Sequence, residues 1–81
     1  MITIRFFAQI RELVGTSELT LEADGLTISQ LLYQLAQRGD KWTMALKEKT
    51  VLCAANKQLV DYQYLINNGD EIAFFPPVTG G

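Results

Sequence analysis

Apolar residues recur at every second position at both ends of the chain and at every third or fourth in its middle, a switch of period that demands a sheet covered by a helix. At the start, "ITIRFFA" (residues 2–8) puts Ile2, Ile4 and Phe6 on one face and Thr3, Arg5 and Phe7 on the other, which predicts a half-buried strand. Near the end, "EIAFFP" (residues 71–76) sends Ile72 and Phe74 one way and Ala73 and Phe75 the other, predicting the last strand. Between them Ile28, Leu31, Leu32, Leu35 and Ala36 lie on one helical stripe, and Thr27 with Gln30 fits a capping box. This is the main helix, and Gly39 is expected to end it.

The remaining segments fill the order. "QIRELVG" places Ile10, Leu13 and Val14 at helical spacing, stops at Gly15 and turns Arg11 outward. "SELTLEA" alternates, with Leu19, Leu21 and Ala23 inward, and Asp24 and Gly25 close it. Trp42, Ala45 and Leu46 mark a short helical turn, and "TVLCAAN" reads as a buried strand that Asn56 and Lys57 turn into a brief strand at Gln58–Val60. An irregular stretch through Tyr62 and Leu65 and a turn at "NNGD" precede the last strand. Strand, strand, helix, strand, short strand, strand is an α+β roll: a mixed sheet with one main helix packed on one face. Residues 1–76 are expected to form the globular domain and residues 77–81 an extended, flexible tail.

Composition narrows the function. At 81 residues there is room for one core, and 48 % hydrophobic residues against a net charge of −2 are enough to fold it. The seven Lys and Arg are scattered without a run, which argues against nucleic acid as a partner. The single cysteine, Cys53, has no internal disulfide partner. No signal-peptide pattern and no apolar stretch of about 18 residues is present, so a cytoplasmic protein without membrane contact is expected. There is no histidine, which removes the usual general base and the commonest metal ligand. We expect no metal, no cofactor bound by this chain and no self-sufficient catalysis.

The ending "FFPPVTGG" points to a different chemistry. Without Cβ atoms, Gly80 and Gly81 fit a channel that rejects side chains, so the terminal carboxylate becomes the group delivered. Extended at about 3.3–3.6 Å per residue, Pro77, Val78, Thr79, Gly80 and Gly81 reach roughly 17 Å into a partner's active site. Pro76 and Pro77, restricted in φ, lower the ordering cost at the root. A carboxylate is a poor acyl donor, and no glycine-rich phosphate loop is present, so activation falls to a partner. A frayed end or a cloning remnant is the plainer reading of the glycines, and the adjoining "FFPPVT" weighs against it.

"CAANKQLVDYQYL" resembles the strand, turn, strand and loop before the last strand of ubiquitin, while "FFAQIRELVG" and "GDEIAFFPPVTGG" resemble the small, sulfur-carrying subunit of molybdopterin synthase. The resemblance covers nearly the whole chain, although residues 30–49 contribute little to it. It implies the ubiquitin-like β-grasp fold. It further implies that an adenylating enzyme of the ubiquitin-activating type uses ATP to adenylate Gly81, and that a sulfur donor protein converts it to a thiocarboxylate. The sulfur then passes to cyclic pyranopterin monophosphate on the large synthase subunit, in a heterotetramer that makes molybdopterin. The same tail also suits a ubiquitin-like modifier that forms isopeptide bonds, or a carrier serving thiamin or tRNA thiolation.

For docking, alternation leaves Phe7 and Phe75 on the sheet face away from the helix, where Leu59 of the short strand can join them; a bulge turning one of them inward is the competing reading. Arg11 either pairs with an acidic group on a partner or is merely solvated. Cys53, in an apolar run, is expected to be a core thiol rather than the sulfur carrier. Trp42, Tyr33, Tyr62 and Tyr64 are expected to bury their rings at the core's edges, and Lys41, Lys47, Lys49 and Lys57 to be solvated.

Overall fold

The computed structural model describes residues 1–47 and 50–77. Its elements are β1 (Ile2–Phe6), α1 (Ala8–Val14), β2 (Glu18–Leu21), α2 (Ile28–Ala36), α3 (Asp40–Leu46), β3 (Leu52–Ala55), β4 (Gln58–Val60) and β5 (Glu71–Phe75). The five strands form one mixed sheet in the order β2-β1-β5-β3-β4, in which β1 and β5 run parallel and every other pairing is antiparallel. The first and last strands are thus central neighbours. Their inward residues Ile2, Ile4, Phe6, Ile72 and Phe74 join Ile28, Leu31 and Leu35 of α2 in a single core.

The main helix begins as its sequence dictates. Thr27 Oγ1 accepts from the Gln30 N–H at 3.2 Å, and the Thr27 N–H donates to Gln30 Oε1 at 2.8 Å, so two amides that the first turn leaves without helical partners are satisfied. Its end differs from expectation. The helix stops at Ala36, capped by Gln37, and Gly39 instead sits before α3 with φ +155°. Thr43 of α3 explains the arrangement: its Oγ1 donates to the Ala36 carbonyl at 2.7 Å, satisfying an acceptor that the end of α2 leaves open. The segment read as a short turn is therefore a seven-residue helix.

β1 is shorter than the alternation predicts. The Phe7 N–H still continues the ladder to the Phe74 carbonyl at 3.1 Å, but Ala8 has φ +54°, a left-handed conformation uncommon for alanine, and swings the chain into α1. β2 likewise spans only Glu18–Leu21, with Ala23 buried beyond its end. Tyr64 packs half-buried against the core as expected, but two tyrosines depart from expectation: Tyr33 is 60 % exposed, because it falls off the buried stripe of α2, and Tyr62 is 38 % exposed, anchored through its hydroxyl to the Val51 carbonyl. Trp42 is half-buried, its ring 5.5 Å from Phe6 in an edge-on contact and 5.0 Å beneath the Arg38 guanidinium.

Asp70 is the buried charged residue among those described. Burial pushes its carboxyl up, but donors outweigh burial and hold it below the usual carboxylate range: the Asn67 N–H at 2.9 Å, Asn56 Nδ2 at 2.9 Å and the Tyr64 hydroxyl at 2.8 Å. The same carboxylate ties the left-handed Asn56–Lys57 turn between β3 and β4 to the turn that launches β5.

Candidate functional site

The parallel pairing of β1 with β5 brings the C-terminal ends of both strands to one end of the sheet. There Phe75 finishes β5, Pro76 is half-buried and Pro77 is exposed, while Phe7, one residue beyond β1, stands beside them, 46 % exposed. Val78, Thr79, Gly80 and Gly81, the rest of the expected tail, lie outside the described residues, as does Lys49.

The register orders the open face into rows. Phe75 pairs with Leu52. The next row runs Glu18, Arg5, Ala73, Ala54, Leu59 across all five strands. Leu59 is 73 % exposed, Leu52 36 %, and Phe75 is half-buried, so Leu52, Leu59 and Phe75 present apolar side chains on the open face, with Phe7 exposed at the same end of the sheet. Covering a side chain of this size completely contributes about 1.5–3 kcal/mol. Such a surface at the root of the tail is what docking requires.

Leu52 is the member that sequence reasoning missed. "VLCAA" has no polar residue to show which face is outward, whereas the structure buries Val51, Cys53 and Ala55 and leaves Leu52 at the surface. Arg5 was missed too: its Nε meets Glu71 Oε2 at 2.9 Å and its Nη1 meets Glu18 Oε1 at 3.2 Å. The hydrogen bond to Glu71 and the nearby charge of Glu18 raise its already high pKa. Arg11, by contrast, lies exposed on α1 with no ion pair among the described residues.

Cys53 faces the core from β3, and its Sγ lies 3.3 Å from the Val60 carbonyl. Burial, helped by the negative charge of Asp61, pushes its pKa up to about 11, so it stays a neutral thiol at physiological pH and a poor nucleophile. Among the described residues no group of His, Cys, Asp or Glu could hold a metal ion, and no helix is long and apolar enough to cross a membrane. What the described residues offer is an apolar surface at the end of β5.

A mixed five-stranded sheet with its helices packed on one face and an apolar open face at the end of the last strand defines a ubiquitin-like β-grasp protein. The chain belongs to the ThiS family, whose profile matches residues 4–81. It is 49 % identical over 81 residues to the molybdopterin synthase sulfur carrier subunit of Haemophilus influenzae and 47 % identical to that of Escherichia coli, with both chains covered completely in each comparison. In structure it resembles a chain of the complex of subunits 1 and 2 of molybdopterin-converting factor from Helicobacter pylori, with TM-score 0.68 and 26 % identity over 99 % of this chain and 97 % of that one.

Proposed function

We propose that this chain is the sulfur carrier subunit of a molybdopterin synthase and that the reactive group is the carboxylate of Gly81. The end-to-end likeness to two sulfur carrier subunits carries this reading. Adenylation by a partner converts the Gly81 carboxylate and ATP into an acyl-adenylate and pyrophosphate, giving the carbonyl carbon a good leaving group. A persulfide sulfur of a donor protein then attacks the carbonyl carbon and displaces AMP, and a thiol cleaves the resulting acyl disulfide, itself ending in a disulfide with the donor and releasing the Gly81 thiocarboxylate. The thiocarboxylate sulfur is softer and more nucleophilic than the oxygen it replaces, so it attacks a carbon of cyclic pyranopterin monophosphate in the large subunit, and an oxygen substituent leaves that carbon as the thioester link forms. Hydrolysis of the resulting acyl link returns the carboxylate. Two such transfers furnish the dithiolene of molybdopterin.

In this scheme Pro77, Val78, Thr79 and Gly80 thread the partners' active sites, while Phe7, Leu59 and Phe75 dock the body and Arg11 supplies a cation at its edge. The experiment is reconstitution of molybdopterin formation from the chain, its adenylating enzyme, ATP, a sulfur donor and the large subunit. A chain lacking Gly81, or carrying one residue beyond it, is expected to fold normally and to yield no molybdopterin, because only the position of the carboxylate changes. Undiminished product from either variant would refute the mechanism, and protein conjugates in place of product would favour a modifier.

A further inference from the structure

The register sets two small residues among large ones at the centre of the open face. There Ala73 and Ala54 pair directly with each other, between Arg5 on one side and Leu59 on the other. The adjoining row toward the tail is the pair Phe75 and Leu52. Both alanines are half-buried although they face outward, whereas Leu59 beside them is 73 % exposed, as expected for a low floor between tall walls. A methyl floor bounded by Leu52, Phe75 and Leu59 can seat one bulky side chain with little exposed backbone beneath it.

The fourth wall is charged. One guanidinium, that of Arg5, faces two carboxylates, Glu18 and Glu71, so this edge keeps an excess negative charge. Exposed ion pairs of this kind add little to folding, and their effect falls on the orientation of an arriving partner and on its association rate.

From these two features the geometry points to a partner surface that inserts a single large aliphatic or aromatic side chain over Ala54 and Ala73 and sets a Lys or Arg beside Glu18 and Glu71. This inference rests on the proposed docking of the large synthase subunit through the open face, and it assigns Ala54 and Ala73 as specificity-determining residues. Filling the floor rather than removing a wall is the discriminating change.

The test is titration of the purified large subunit with wild type and with Ala54→Ser, Ala54→Val and Ala54→Leu, with folding followed by thermal melting. Ala54→Ser is expected to bind as wild type, and affinity to fall with added volume, by at least about 10-fold for Ala54→Leu. Glu71→Gln is expected to slow association about 3-fold and to flatten its salt dependence. Wild-type affinity in a folded Ala54→Leu or Ala54→Val chain would overturn the knob, and an unchanged salt dependence in Glu71→Gln would overturn the charged edge. If wild type itself does not bind the large subunit, the proposed function fails instead.

Discussion

At the scale of single residues, the two groups with the clearest chemical signatures have structural duties. Cys53 carries the chain's sole thiol, yet its pKa of about 11 keeps it protonated, and its β3 position turns it into the core. Alkylation with iodoacetamide at neutral pH is therefore expected to be slow in the folded protein and fast in denaturant; equal rates would mean that the thiol is accessible. Asp70 has the opposite sign of shift. Its folded pKa lies below the usual value, so the stability it contributes is complete above about pH 4 and is lost as pH falls through the folded value. Asp70→Asn replaces an acceptor of three hydrogen bonds, and should cost about 1–3 kcal/mol near neutrality while flattening the acid limb of a stability–pH curve. Retention of the full wild-type acid dependence in that variant would assign the effect to another carboxylate.

At the scale of elements, neighbours in β5 have separate tasks. Phe74 is fully buried and 6.2 Å from Phe6 in the core, whereas Phe75 faces the open surface. Phe74→Ala should cost about 3–5 kcal/mol. Phe75→Ala should cost less than about 1 kcal/mol and weaken binding of the large subunit; chemical denaturation and titration separate the two effects. The face assignments of β1, β5 and α2 were legible because each mixes small or polar residues with large apolar ones at a single period. β3 was not, since an unbroken apolar run conceals its orientation and with it Leu52 and Ala54. The break at Gly39 was misread because a glycine between two helices can serve either, and only Thr43, which bonds back to Ala36, shows that it belongs to the second. Asp70 resembled any polar turn residue, as its partners Asn56 and Tyr64 lie 14 and 6 positions away.

At the scale of the whole molecule, topology supplies what no single element does. Pairing β1 in parallel with β5 gathers Phe7, Phe75 and the tail root at one end of the sheet, while the core on the opposite face holds that end rigid. In the proposed scheme a partner gripping the open face meets a five-residue segment, 77–81, whose fully extended length is roughly 17 Å. The central claim is that sulfur travels on the main-chain terminus and nowhere else. It is tested most directly by the intact mass of the chain after incubation with adenylating enzyme, ATP and sulfur donor, followed by fragmentation. The account predicts the gain of one oxygen-to-sulfur exchange located at Gly81, in wild type and Cys53→Ala alike; sulfur located on Cys53, or an unmodified Gly81 under conditions that load an authentic carrier, would contradict it.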